Sequence, residues 1–282
     1  MDLETEKLLD IRGTFVPKSN IILEVRKMDW QLETSVSDEQ VEFYNENGYI
    51  TFGRIFTKEE LDTLRDYVDE MIENLPEGRR PEQMDVPHFE HPFLFKYLTH
   101  PRVLKVIERF IGPDIVLWSS HFISKREHDG MAVPWHQDGV YWGKSLDPMH
   151  VITMWLAVDE SKVENGCMRV IAGSHRLRDR RYEEVDRTNN LFGSEVVEAD
   201  LDTSKVVNLE LEVGESHFHD AWTIHNSSPN VSQKRRCGYT MRYMPANVRY
   251  PGAEWRRKHH IYLLQGEDRT DGFNTYAPVP EF

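Results

Sequence analysis

Only two cysteines, Cys167 and Cys237, occur in 282 residues, so no disulfide framework organises the chain, and both thiols are expected to be small buried apolar groups. No apolar run is long enough to cross a bilayer. The opening MDLETEKLLD is acidic where a secretory leader would be basic, and the closing APVPEF is not a peroxisomal S-K-L-type address. A reducing, cytoplasmic setting is the expectation. Positive charge is also scarce: 34 Lys and Arg against 48 Asp and Glu leave a formal net charge of −14. A phosphate backbone is bound by clustered cations that release counterions, so nucleic acid is not expected as a partner and a small molecule is. Internal repeats and low-complexity linkers are missing too, which favours one domain over an array.

What is present divides by pattern. An apolar fraction of 39% is enough for a real core at this length. Ser37 with Gln40 reads as a capping box opening a helix that stops at Gly48, and Tyr49 to Phe56 (YITFGRIF) reads as a strand. Thr57 with Glu60 repeats the start signal. Leu61, Leu64, Val68, Met71, Ile72 and Leu75 then recur at helical spacing as far as Pro76, which predicts one buried stripe. A third helix is predicted from Arg102 to Ile111, with Leu104, Ile107 and Ile111 inward and Gly112 as terminator. Beyond Gly112 come short β-rich segments separated by Gly, Pro, Asn and Asp: DIVLWSSHFISK, VITMWLAVDES, CMRVIAG, VVNLELEVGES and GYTMRYMP. Many short strands without intervening helices predict a mainly β double-stranded β-helix, or jelly roll, over about 113–250. A helical layer precedes it over about 1–112, an extension follows over 251–282, and all three form a single domain.

Two stretches carry residue types that hold metals. In VPWHQDGVYWG, His136 and Asp138 are two apart, which on an extended strand puts both on one face. GESHFHDAWTIHNSSPN, read as one later strand, offers His217, His219 and His225. Two imidazoles and one carboxylate form the facial triad that suits non-haem Fe(II) and leaves positions open for other ligands. Zinc is the competing metal, but no HExxH helix or other zinc motif is present. Eleven residues past His225, the planar fork of Arg236 can grip a carboxylate, as a dicarboxylate co-substrate needs; it can equally be a solvated neighbour of Lys234 and Arg235. Arg242 shares the face of Arg236 and is a candidate for substrate binding. Trp118, Trp135, Tyr141 and Trp142 lie on or beside the metal strands, where they either wall a pocket or fill the core. The basic run His175 to Arg181 (HRLRDRR) either attracts an anionic substrate or is a solvated loop.

Four segments carry a family resemblance. They are WHQD at 135–138, WLAVDESKVENGCMRVIAGSH at 155–175, IHNSSPN at 224–230 with Asn226 where a glycine is usual, and RRCGYTMRYMP at 235–245. Together they resemble the phytanoyl-CoA dioxygenase family of Fe(II)- and 2-oxoglutarate-dependent oxygenases, over roughly Ser37 to Pro245. The resemblance implies that His136, Asp138 and His225 ligate iron, that Arg236 pairs with the distal carboxylate of 2-oxoglutarate, and that Trp155 and Ser227 touch that co-substrate. It further implies consumption of O2 with release of succinate and CO2, and commonly hydroxylation of a small organic molecule. Desaturation, epimerisation or endoperoxidation with the same cofactors stays open, and so does a non-catalytic cupin-like binding module. Such a module would have lost a ligand or the arginine, and all four residues are here. Halogenating relatives lack the carboxylate that Asp138 supplies.

On one strand His217, His219 and His225 share parity, so alternation cannot choose among them. The family-like turn containing Ser227 and Asn230 selects His225. Accordingly His225→Ala should abolish iron-dependent succinate release while His219→Ala retains measurable turnover; the reverse result would shift the ligand assignment and remove the roles of Ser227 and Arg236 with it.

Overall fold

The structure is a computed structural model that describes residues 7–9, 15–17, 30–178, 180–252 and 259–282. Most of the opening decapeptide, Asp179 of the basic run and residues 253–258 of the C-terminal extension lie outside the described residues.

Both capping boxes form. Helix α1 (Asp38–Asn47) begins where Ser37 Oγ accepts from Gln40 N and Gln40 Oε1 accepts from Ser37 N, and it ends at Gly48, whose φ of 76° only glycine adopts cheaply. Helix α2 (Lys58–Glu73) repeats the device with Thr57 and Glu60, and buries Leu61, Leu64, Val68 and Met71. Its last turn stops at Asn74, short of Pro76, because the residue before a proline is pushed out of the helical region. Helix α3 (Pro101–Ile111) starts one residue earlier than its periodicity suggests: Pro101 occupies the first turn and His100 Nδ1 accepts from Arg102 N.

Eight strands build the roll: β2 (Ile115–Lys125), β3 (Val133–His136), β4 (Ile152–Ala157), β5 (Met168–Ile171), β6 (Val206–Leu209), β7 (Ser216–Asp220), β8 (His225–Ser227) and β9 (Arg236–Pro245). A small antiparallel sheet runs β6-β5-β8-β3, and a large one contains β2-β9-β4-β7. Except at the β5–β6 hairpin, successive strands change sheets, which is the winding of a jelly roll. The large sheet reaches past 113–250 at both edges. Strand β1 (Tyr49–Phe52) pairs with β7, and β10 (Tyr262–Gln265) pairs with β2, so the helical layer and the C-terminal extension each contribute a strand to it.

Alternation sorts the large sheet into two faces. Phe122, Met154, Leu156, Phe218, Tyr239, Met241 and Tyr243 join Leu61, Leu64, Val68, Val103 and Ile107 of the helices in the main hydrophobic cluster. Their strand neighbours Trp155, His217, His219, Thr240 and Arg242 have the opposite parity, and Trp155, His219, Thr240 and Arg242 line the interior that the small sheet closes. The helices thus cover one face so that the other can be polar.

One expectation from sequence is corrected here. The histidines of GESHFHDAWTIHNSSPN do not share a strand, because β7 carries His217 and His219 while β8, in the other sheet, carries His225. Asp220 breaks the run: its carbonyl accepts from Thr223 N at 2.9 Å and its Oδ1 accepts from Trp222 N at 2.8 Å, forming an Asx-assisted turn. Both cysteines are free and buried.

Removing the Thr57 hydroxyl should lower unfolding stability by about 1 kcal/mol, the usual worth of an N-cap. Urea denaturation of Thr57→Ala checks this, and an unchanged midpoint would mean that packing alone sets the start of α2.

Candidate active site

His136 closes β3 and His225 opens β8, directly across the ladder from each other, with ring centres 4.0 Å apart. Each imidazole is fixed from behind. His136 Nδ1 lies 2.9 Å from Pro134 O and His225 Nδ1 lies 2.8 Å from Thr223 O. A carbonyl can only accept, so Nδ1 donates on both rings and Nε2 is the nitrogen left for a metal. Burial, with the neighbouring histidines, holds His225 well below its ordinary pKa and so in the neutral, ligating form.

Asp138 reaches the same point by a different route from the one its spacing suggests. The strand ends at His136, and Asp138 is the first residue of a short helix, α4 (Asp138–Trp142). Gln137 makes the bend: its backbone N donates to Tyr182 OH, and its amide donates to Leu177 O and Trp222 O at 2.8 and 2.7 Å. Gly139 N donates to Ala221 O at 2.8 Å, tying α4 to the turn between β7 and β8. Asp138 Oδ1 then stands 3.7 Å from His136 Nε2, and one ligand atom from each of His136, Asp138 and His225 lies within 4.8 Å of the others. Burial opposes the carboxylate charge, but Arg242 and the adjacent histidines outweigh it and hold Asp138 well below the usual carboxylate range. His219 Nε2 is 3.9 Å from the other oxygen, Asp138 Oδ2, and His217 stacks face to face on Trp155 with ring centres 5.3 Å apart.

Adjacent arginines at the start of β9 have opposite fates. Arg235 turns outward and pairs with Asp159 and Asp69. Arg236 turns inward, is 2% exposed, and finds no hydrogen-bond partner for Nε or Nη2 among the described residues. Burial pulls its pKa down to about 10 against the weaker pull of Glu82 and Asp159, so the guanidinium stays charged at neutral pH. It sits 5.4 Å from the ring centre of Trp155. Gly238 makes room for that indole, since a Cβ there would fall 1.9 Å from Trp155 Cζ2. Lys125, the cross-strand partner of Arg236, donates to Ser227 O and Ser228 O and fixes the turn after His225.

A slot of about 40 Å³ is lined by the three metal candidates, Trp155, Ser227 and Arg236. His121, Asp138, Phe192 and Arg242 border both this slot and a cavity of about 590 Å³, which Tyr141 and Trp142 also line. Trp118 and Trp135 line neither. Trp118 is fully buried against Trp142, Tyr250 and His259, while Trp135 packs on the cluster around Ile171 beneath Arg169. The basic run is spent on the surface: Arg176 donates to Asn45 O, Arg178 covers Trp222 and Arg181 pairs with Asp200. His121 and Phe192 are lining residues that sequence reading missed. The parity of His121 with Ser119 was visible, but its register opposite Thr240 was not.

Two imidazoles and one ionised carboxylate on one side of a buried slot fit a facial-triad metal, and an inward guanidinium with two nitrogens unpartnered among the described residues fits a carboxylate-bearing co-substrate. Residues 44–238 match the family described as phytanoyl-CoA dioxygenase (PhyH). The chain belongs to the phytanoyl-CoA dioxygenase family. It is therefore an oxidoreductase that uses iron, 2-oxoglutarate and O2. The peroxisomal phytanoyl-CoA dioxygenase of Bos taurus is 27% identical over 252 residues, covering 80% of this chain and 74% of that protein. Among solved structures, the apo form of the non-heme monooxygenase ThoJ covers 81% of this chain and 84% of its own at a TM-score of 0.68 and 22% identity. The alpha ketoglutarate dependent carbocyclase SnoK from nogalamycin biosynthesis covers 78% and 88% at 0.63 and 25%. No helix among the described residues is long and apolar enough to cross a membrane.

Anaerobic addition of Fe(II) and 2-oxoglutarate should give this dioxygenase a weak visible charge-transfer band that Asp138→Ala weakens or removes, because binding needs the full ligand set. A band of equal strength in the variant would contradict the placement of Asp138 on the metal.

Proposed function

We propose that His136, Asp138 and His225 hold iron(II), that Arg236 grips the far carboxylate of 2-oxoglutarate beside Trp155 and Ser227, and that the enzyme hydroxylates a small organic molecule. One observation carries this reading: the three-residue metal cluster and a buried arginine, with Nε and Nη2 unpartnered among the described residues, border the same slot. When bound, iron and 2-oxoglutarate together supply the oxidising chemistry, with O2 consumed and succinate and CO2 released.

The chain's own groups do the positioning. Pro134 O and Thr223 O keep both imidazoles turned with Nε2 forward. Arg236 and the indole of Trp155 set the direction of the co-substrate, and their burial makes the charge-assisted pair stronger than it would be in water. Phe192, Trp142 and Tyr141 line the wide cavity that adjoins the slot, where with a substrate seated their rings would help keep water from the metal position. Tyr141 is held by Ser194, to whose carbonyl its hydroxyl donates at 3.2 Å.

The carbocyclase named among the similar structures supports a second reading, in which the same residues drive a different oxidative outcome such as ring closure, desaturation or epimerisation. A small-molecule substrate without nucleic acid agrees with the charge of −14, and a cytoplasmic setting agrees with the two free thiols. A screen for substrate-stimulated succinate release across amino acids, phosphonates, acyl-CoA thioesters and terpenoids would name the substrate class.

Arg236→Ala removes a charge-assisted pair worth roughly 1.5–3 kcal/mol, so the 2-oxoglutarate requirement should rise about ten- to a hundredfold while iron affinity barely changes. Unaltered 2-oxoglutarate dependence in uncoupled turnover would transfer that role to another cation.

A further inference from the structure

We propose that Arg242 is the receptor for an anionic group on the substrate, a carboxylate or phospho-oxyanion, held where the metal slot meets the wide cavity. The proposal rests on the reading of the metal and 2-oxoglutarate sites given above.

Arg242 lies three alternations beyond Arg236 on β9, on the same inward face, across from Ser119 on β2 and Thr153 on β4. Its side chain is 9% exposed. Nη1 donates to Ser119 Oγ at 3.3 Å, and Nε has no hydrogen-bond partner among the described residues. The carboxylate paired with it, Asp138 Oδ2, is 3.7 Å away, beyond hydrogen-bonding distance. The guanidinium lies 5.3 Å from the ring centre of Trp142, which fixes its plane against the wall of the wide cavity. Of the two inward arginines that border the slot, only Arg242 also borders the wide cavity.

Charge balance decides what it waits for. A bound divalent metal would neutralise Asp138 together with the near carboxylate of 2-oxoglutarate, and Arg236 would neutralise the far one. Those charges cancel, and the charge of Arg242 is left over in a buried place. An uncompensated buried ion is costly, and the metal that Asp138 ligates weakens the attraction that offsets the cost in the metal-free protein. Glu82, the other buried carboxylate bordering the wide cavity, is engaged by Arg80 and Met131 N. An anion arriving through the wide cavity meets Arg242 at the threshold of the slot, with the metal candidates immediately beyond. Its planar fork suits an oxyanion, and seating it there would bring the adjoining part of the substrate toward Asp138.

The test uses the full chain, held anaerobically with Fe(II) and saturating 2-oxoglutarate so that Arg236 is occupied. Butanoate, butylphosphonate and butanamide are titrated by calorimetry while the visible band is followed. The expected result is that both anions bind at least tenfold more tightly than the amide. Arg242→Gln should erase that preference with the band retained, and Arg242→Lys should restore part of it. A band with no preference for anions in the wild type overturns the inference and leaves the reading of the metal site standing. Loss of the band in Arg242→Gln, together with equal binding of anion and amide by the wild type, means that Arg242 serves Asp138 alone and also overturns it.

Discussion

The structure depends on one constraint, the cost of holding charge inside a closed roll. Asp138, Arg236, Arg242 and Lys125 are all buried, and each is compensated differently. Burial, with Arg236 beside it, pushes Lys125 well below the usual lysine range, and its amine donates to two backbone carbonyls. Asp138 is kept ionised by Arg242 and by histidines. Among the described residues Arg236 has neither carbonyl nor carboxylate for two of its nitrogens, so of these groups it depends most directly on a ligand. A buried ion without a partner costs several kcal/mol, and a protein that tolerates one has stored that cost against the arrival of an anion. Binding then stabilises the fold as well as filling the site.

Tolerating such charges requires a frame that does not relax around them. The frame comes from division of labour across one sheet. Odd-numbered positions of β9 pack Tyr239, Met241 and Tyr243 against the helices, while even-numbered positions present Arg236, Gly238, Thr240 and Arg242 to the interior. The same sheet therefore gains its stability on one face and places its polar groups on the other. Register turns this into geometry: His136 faces His225, Arg236 faces Lys125, and Trp155 faces both Thr240 and His217.

Local features of the sequence were legible because their physics is local. Both capping boxes, the buried stripe of α2 and the glycine stop of α1 follow from residues at most four apart. The jelly-roll class follows from strand count and turn residues, and the residues of the candidate site follow from short motifs. Most of what escaped depends on partners distant in sequence. The exception is the break at Asp220 that sends His225 into the other sheet, a local Asx turn hidden by the alternation of the histidines around it. The bend at Gln137 that puts Asp138 on a helix is held by Leu177, Tyr182 and Trp222. Trp118 and Trp135 sit beside metal strands in sequence, yet their side chains belong to separate packing clusters. His121 required the register of β2 against β9. None of these is encoded within one element.

The most direct test of the account is a crystal structure of the protein with Mn(II) in place of iron and 2-oxoglutarate bound, with the metal located by its anomalous signal. The account predicts one metal peak bonded to Nε2 of His136, Nε2 of His225 and one oxygen of Asp138, and a 2-oxoglutarate whose far carboxylate sits on Arg236 over Trp155. A metal ligated by His219 in place of His225, or a co-substrate carboxylate held away from Arg236, would contradict it.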